Sequence, residues 1–237
     1  MRHRPAFAAP TPGIKFTLGF LLVVWVVLAL LYQFTAFGPE LFRALVLDPS
    51  GVLEGKVWTL LTWVLVDDLT TPFSLLLTCL LFFFFGPELE RRWGIRRLLV
   101  FYALTALAGG FVTVATWLVG LPSAMGMGAQ GVGLALMVAW ALTFPDREVM
   151  MYFVLPLRGV QLIWIAVGLG VLRAISVAPS GVAADFGAMG MAWLLVSGLW
   201  RTNRMRLWWD KFLVALRLRK PPRLYVVPKG DSRFDVH

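Results

Sequence analysis

The stretch MGMGAQGVGLALM, residues 125–137, places one polar side chain, Gln130, among small and apolar residues. The apolar run continues without a charge as far as Pro145, where a helix is expected to end. Small residues at helical spacing let helix backbones approach closely inside a membrane. The stretch therefore predicts a closely packed helix that carries a single amide.

The composition of the whole chain is that of a membrane protein. Of its 237 residues, 59% are hydrophobic and 15% are charged, and the mean hydropathy is +0.78. An α-helix needs about 20 apolar residues to cross the hydrocarbon core of a bilayer. We therefore predict an all-α membrane protein with six transmembrane helices. They cover approximately residues 16–37, 69–86, 97–120, 125–144, 160–178 and 181–200.

The basic residues predict how the chain is oriented. Most of the 22 lysines and arginines fall in the N-terminal segment, the second and fourth loops and the C-terminal tail, which lie on one face of a six-span protein. The positive-inside rule places that face, with both termini, in the cytoplasm. We expect a plasma membrane protein, in the bacterial inner membrane. Topology and anionic lipids account for the net charge of +9, so no nucleic-acid partner is expected.

Three regions follow from this pattern. Residues 1–14 are rich in proline and alanine and are predicted to be a disordered cytoplasmic N-terminus, residues 15–200 form the membrane domain, and residues 201–237 form a basic amphipathic tail. Between the first two spans, KVWTLLTWVL is too short to cross. It predicts an interfacial helix anchored by Trp58 and Trp63.

Three sequence stretches together resemble the rhomboid family of six-span intramembrane serine proteases. FFFFGPELERRWG (82–94) is similar to the end of the second span and its following loop. GAQG (128–131) is similar to the Gly-x-Ser-Gly motif, and VAADFGAMGMAWL (182–194) to the Ala-His-x-Gly-Gly stretch of the sixth span. The resemblance covers about residues 15–205 and implies a six-helix bundle with an interfacial first loop. It assigns structural roles to Gly86, Glu90 and Gly94.

The catalytic positions of that family are not retained. The position of the nucleophile is Gln130 and that of the base is Ala188. Ser74 and Thr78 stand at the two positions that support the oxyanion. The resemblance therefore implies a catalytically degenerate, rhomboid-like pseudoprotease.

The chemistry of the chain gives the same expectation without the resemblance. A serine or cysteine nucleophile needs a base, most often histidine, and the two histidines, His3 and His237, lie in the terminal tails. The one cysteine, Cys79, excludes an internal disulfide and a thiolate metal cluster. We therefore expect no catalytic residue, no metal and no cofactor.

The polar residues within the spans are the candidates for binding. A polar group in hydrocarbon needs a hydrogen-bonding partner or water. We hypothesise that Gln130 bonds across to Asp185 or to an exposed carbonyl of the sixth span; the alternative is that Asp185 faces water. Ser74 and Thr78 either line the same cavity or bond back to their own helix. Small residues expected to pack the fourth and sixth spans together are Gly128, Gly131, Ala135, Ala184, Ala188 and Ala192.

The predicted function is to bind transmembrane client proteins and to influence their stability or traffic without cleaving them. The partners are then membrane lipids and client proteins. Three alternatives stay open. One is an active rhomboid-type serine peptidase, for which Ser123 is the nearest serine, and another is a small transporter. The last is an aspartyl peptidase that uses the two carboxyl groups of Asp67 and Asp68.

Overall fold

The computed structural model describes residues 10–69, 72–121, 125–145, 148–151, 155–176 and 182–197. The predicted amphipathic tail lies outside these ranges, as do both histidines and Ser123. The N-terminal segment was expected to be disordered as far as residue 14, but the first helix begins at Pro12. Proline suits the first turn of a helix because its missing N–H has no intrahelical partner there.

Apart from turns and loops, the described residues form helices and one short antiparallel strand pair. Strands β1 (Glu148–Met151) and β2 (Leu155–Arg158) form this pair, with Glu148 opposite Arg158. Six longer helices coincide with the six predicted spans, although their boundaries differ. The helices are α1 Pro12–Phe34, α2 Gly38–Leu45, α3 Pro49–Leu53, α4 Thr59–Thr62, a 3₁₀ turn Trp63–Leu65, α5 Phe73–Trp93, α6 Ile95–Leu118, α7 Gln130–Thr143, α8 Gly159–Ser176 and α9 Ala183–Val196; the strands are β1 Glu148–Met151 and β2 Leu155–Arg158.

Three of these helices are long and apolar enough to cross a membrane, namely α1, α5 and α6. Helices α7 and α9 have 14 residues each, a length of ~21 Å at 1.5 Å per residue, which is less than the ~30 Å of the hydrocarbon core. The apolar part of α8, Gln161–Leu172, is also shorter than a full span. The chain is thus an integral membrane protein with three helices of spanning length among the described residues.

Helix α7 is the centre of the bundle. Every side chain from Gln130 to Ala141 is buried, and α5, α8 and α9 all pack against this helix. Glycines make the close approach possible. A Cβ on Gly133 would lie 2.9 Å from Leu81 of α5, and one on Gly131 would lie 3.1 Å from the Cα of Asp185 on α9.

Helix α1 is fixed to the rest of the bundle by Glu90 of α5. The backbone N–H groups of Gly13 and Ile14 donate to its carboxylate at 3.1 and 2.9 Å, and the Thr11 hydroxyl donates as well. These donors belong to the first turn of α1, where N–H groups have no intrahelical acceptor. Gly86 lies against the Ile14 side chain. The Glu90 carboxylate thus caps α1 across the α1–α5 contact.

The segment between α1 and α5 differs from the predicted single interfacial helix. It forms the short helices α2, α3 and α4 and a 3₁₀ turn. Trp58 is 51% exposed, as an interface anchor would be, but Trp63 is 1% exposed. The Trp63 indole N–H lies 3.2 Å from the carbonyl of Ala106 on α6. The prediction for Trp63 is therefore wrong, because its ring packs into the core and its N–H finds a partner there.

Candidate functional site

Four buried polar side chains lie around the first turn of α7, and we call them the polar cluster. They are contributed by four different elements: the segment after the 3₁₀ turn, α5, α7 and α9. All are at most 8% exposed. Burial of polar groups inside an apolar bundle is unfavourable unless they are hydrogen-bonded or bind something. The members are Asp67, Thr78, Gln130 and Asp185.

Asp185 is held against the start of α7. A Cβ on Gly131, the residue after Gln130, would lie 2.6 Å from Oδ1 of Asp185. The carboxylate is 3% exposed, so it does not face water as the alternative interpretation had it. It also lies in the first turn of its own helix α9, where the helix dipole favours a negative charge.

Asp67 belongs to the cluster, although sequence reasoning considered it only as half of an adjacent pair with Asp68. A Cβ on Gly128 would lie 3.2 Å from Oδ1 of Asp67. Gly128 has a φ of +94°, a conformation that glycine adopts without strain. Its N–H lies 2.6 Å from the carbonyl of Val66. This loop contact brings Asp67 beside the turn that precedes α7.

Thr78 faces α7 at the level of Gln130. Helices α5 and α7 run parallel, because Leu81 lies against Gly133 and the ring of Phe85, further along α5, contacts Trp140 in a tilted arrangement with 5.7 Å between centroids. Thr78 is one turn before Leu81, and Gln130 is one turn before Gly133. The side chain of Thr78 is 0% exposed, on the buried face of α5 that includes Leu81 and Phe85.

The Thr78 hydroxyl has no hydrogen-bond partner among the described residues. The interpretation that it bonds back to its own helix is therefore wrong for this residue. The contrast is Thr113 of α6, equally buried, whose hydroxyl donates to the Gly109 carbonyl at 3.0 Å. Ser74, one turn earlier on α5, is half-buried. A buried hydroxyl without a partner among the described residues is uncommon in proteins and needs a physical explanation.

The small residues predicted to join α7 and α9 are divided between two contacts. Ala135, Ala188 and Ala192 are buried in one apolar cluster to which both helices contribute. The carbonyl of Ala184 instead lies against Gly109 of α6. Gly128 precedes α7 and faces Asp67, so it does not pack on α9. The stripe on α9 thus serves α6 as well as α7.

The chemistry of the polar cluster is that of a hydrogen-bonding site. It combines two carboxyl groups, an amide and a hydroxyl near the N-terminus of α7, whose first N–H groups have no intrahelical acceptor. In the described part of the chain, no group of three or more His, Cys, Asp or Glu residues is placed to hold a metal ion. The arrangement can therefore donate and accept hydrogen bonds inside an otherwise apolar bundle.

Comparison with known proteins assigns the chain to a family. The family described as "Eukaryotic integral membrane protein (DUF1751)" matches residues 17–197, which includes every helix around the polar cluster. No curated protein matches the sequence. The description supports an integral membrane protein, and because it is eukaryotic it gives no support to the expected bacterial inner membrane.

The rhomboid assignment is therefore wrong, since the matching family is not the rhomboid family. The structure explains why the short motifs misled. Glu90 caps α1 and Gly86 permits the α1–α5 crossing. Gly94, with a φ of +80°, forms the turn into α6, and Ala188 fills the core. Glycine and alanine at these places allow helices to pack closely, and the acid caps a helix. Other helix bundles have the same packing requirements.

Proposed function

The chain belongs to the DUF1751 family of eukaryotic integral membrane proteins, and we propose that it binds transmembrane segments of other membrane proteins without cleaving them. The observation that supports this proposal is the unpartnered hydroxyl of Thr78 within the polar cluster. Polar side chains drive recognition between helices in lipid, where water does not compete. A polar residue of a client segment is the group that would complete the hydrogen bonding of Thr78.

The short helix α9 supports the same function. Helix α9, at ~21 Å, is shorter than the hydrocarbon core and exposes Trp193 and Leu194, so the bilayer beside it must thin or the flanking residues must adjust. Client segments that are short, or that carry a polar residue, are poorly accommodated by an undisturbed bilayer. Beside α9 they would find a thinner bilayer, and Asp185 of that helix belongs to the polar cluster.

Binding without cleavage rests on the residues available for catalysis. The chain has two histidines, at positions 3 and 237, and Gln130 at the centre of the cluster has no ionisable proton. Hydrolysis through a serine or cysteine requires a base within hydrogen-bond reach of the nucleophile. The cluster supplies groups that hold a peptide segment and lacks an imidazole or an amine that would activate an attacking oxygen.

One observation favours a second candidate function. Asp67 is buried beside the turn that precedes α7 and Asp185 beside its first turn, and two carboxyl groups that share a proton can hydrolyse a peptide bond. This candidate predicts that a bound client is cut within its membrane segment. The cut would disappear in the variant Asp185→Asn, whereas binding alone leaves the client intact in both proteins.

We also propose a topology with six helices in the membrane and both termini in the cytoplasm. The end of α5 carries Arg91 and Arg92 and the start of α6 carries Arg96 and Arg97, all exposed, and the positive-inside rule places these helix ends in the cytoplasm. The segment from α2 to Leu65 then lies at the opposite interface.

Photocrosslinking tests the client site directly. Benzoylphenylalanine at position 74, one turn from Thr78, is expected to form adducts with membrane proteins in intact cells. The same probe at position 164 is the control, because Trp164 is 72% exposed on α8, away from the cluster. Equal adducts from both positions, or adducts with lipid alone at position 74, would refute the site.

The pair Thr78→Val and Thr113→Val separates binding from stability. Thr78→Val removes an unpartnered hydroxyl, so the free energy of unfolding is expected not to fall. Client adducts at position 74 are expected to drop about fivefold, because the client loses a hydrogen bond worth about 1 kcal/mol. Thr113→Val breaks an internal hydrogen bond and is expected to lower stability by about 1 kcal/mol with adducts retained. Thermal unfolding in detergent and adduct yield measure the two effects. A stability loss in Thr78→Val with unchanged adducts would show a structural role only.

A further inference from the structure

An apolar cavity of about 330 Å³, which we call the side cavity, is lined by none of the four residues of the polar cluster, although Ala129, next to Gln130, belongs to its inner wall. It is bounded by α1, by the 3₁₀ turn and the end of α4, and by α6, and its inner wall is formed by α5 and α7. Several lining residues are also exposed on the outer surface, among them Phe16 at 72% and Leu99 at 48%, so the cavity opens sideways. Since α1 and α6 are of spanning length, this opening faces lipid.

We infer that the side cavity holds one acyl chain of a phospholipid whose phosphate binds Arg96. Leu99, Ala103 and Ala106 of α6 line the cavity. Arg96 precedes Leu99 by three residues, so it lies on the same face of the helix, where residues three and four apart are neighbours. Arg96 is exposed at the end of α6 next to the turn. The site therefore joins an apolar slot to a cation at one mouth.

The length of the slot matches one leaflet. From Arg96 to Ala106 the helix rises ~15 Å, which is half of the ~30 Å hydrocarbon core and hence the reach of one acyl chain. Leu61, Val64 and Leu65 line the cavity near the level of Ala106, whose carbonyl accepts from the indole of Trp63. A client helix, about 10 Å wide with its side chains, would span the whole core, about twice the length of this slot.

The charge at the mouth favours a phosphate group. Lys15 of α1, also exposed, precedes the cavity residue Phe16. The nearby Glu90 carboxylate already accepts the two α1 N–H groups and the Thr11 hydroxyl, which reduces its repulsion of an anion. An arginine guanidinium binds phosphate oxygens in a bidentate manner.

Native mass spectrometry of the purified protein tests the inference, with synthetic phosphatidylglycerol and phosphatidylcholine added in turn. We expect one lipid retained per chain, with phosphatidylglycerol preferred. Ala103→Phe fills the slot and is expected to reduce retention at least tenfold, whereas Ala115→Phe, on the exposed face of the same helix, leaves it unchanged. Arg96→Gln is expected to lower phosphatidylglycerol retention about fivefold, because one basic residue near anionic lipid contributes about 1 kcal/mol.

The outcomes do not depend on the client-binding proposal. Equal retention by the natural protein, Ala103→Phe and Ala115→Phe would overturn the site, as would retention of a free fatty acid as strong as that of the phospholipid. If Ala103→Phe fails to fold, Arg96→Gln decides the matter, since its substituted side chain is exposed. An unchanged preference for phosphatidylglycerol in Arg96→Gln would then refute the role of the cation.

Discussion

Replacing Glu90 by alanine is expected to lower the free energy of unfolding by about 3 kcal/mol. The substitution removes a charged acceptor from the N–H groups of Gly13 and Ile14 and from the Thr11 hydroxyl. The two N–H groups then remain without an acceptor at the start of α1, close to the buried Ile14. Thermal unfolding of the purified protein in a mild detergent measures the loss.

Two further variants check that the loss comes from the cap. Glu90→Gln keeps one acceptor oxygen without the charge and should show an intermediate loss. Glu54→Ala removes a carboxylate from an exposed position at the end of α3 and should change stability by less than about 0.5 kcal/mol. If Glu90→Ala and Glu54→Ala were equally stable, α1 would not depend on this contact.

The second large effect is expected at Gly131, where alanine should lower the free energy of unfolding by about 2–3 kcal/mol. The new Cβ would lie 2.6 Å from Oδ1 of Asp185 and 3.1 Å from its Cα. The Cα of Asp185 is a backbone atom, so α9 itself must move away from α7. The same displacement should also weaken client adducts at position 74, because Asp185 belongs to the polar cluster.

Gly190 offers a matched control on α9. Nothing lies within 4 Å of the position of its Cβ. Alanine there should raise stability by about 0.5–1 kcal/mol, since glycine in a helix interior is unfavourable relative to alanine. Opposite signs for the two glycine substitutions are the expected result. A loss of similar size in both variants would contradict the account, because the close contact of Gly131 with α9 would then have no effect of its own.

Much of the helical layout was predictable from the sequence, whereas the helix boundaries depend on tertiary contacts. The run that begins at residue 125 reads as helical, but α7 starts at Gln130 because Gly126 pairs with Leu47 and Gly128 adopts a positive φ. Helix α5 continues past Pro87 to Trp93, where apolar periodicity alone suggested an end near residue 86. The pairing of Gly126 with Leu47 and the continuation of α5 past Pro87 leave no local signal in the sequence.

The candidate site was predictable only in part, because one of its residues is also placed by a tertiary contact. Gln130 and Asp185 stand out because each is a polar residue in an apolar stretch, and the structure buries both beside one helix end. Asp67 was missed because its place depends on a loop contact with Gly128, far away in sequence. The sequence signal for Asp67 was that this acid directly follows the uncharged stretch 57–66. The prediction that Trp63 anchors an interfacial helix was wrong, because a tryptophan near the end of a span fits an interface and a core equally well.

The central claim is that the polar cluster holds a membrane segment and leaves it whole, and the state of the captured client tests it most directly. The protein crosslinked at position 74 would be isolated from cells and its termini and mass determined. We predict a full-length client whose membrane segment is uncut and attached near Thr78. A client that ends within its membrane segment, with the cut lost in Asp185→Asn, would contradict the claim and establish the carboxylate pair as catalytic.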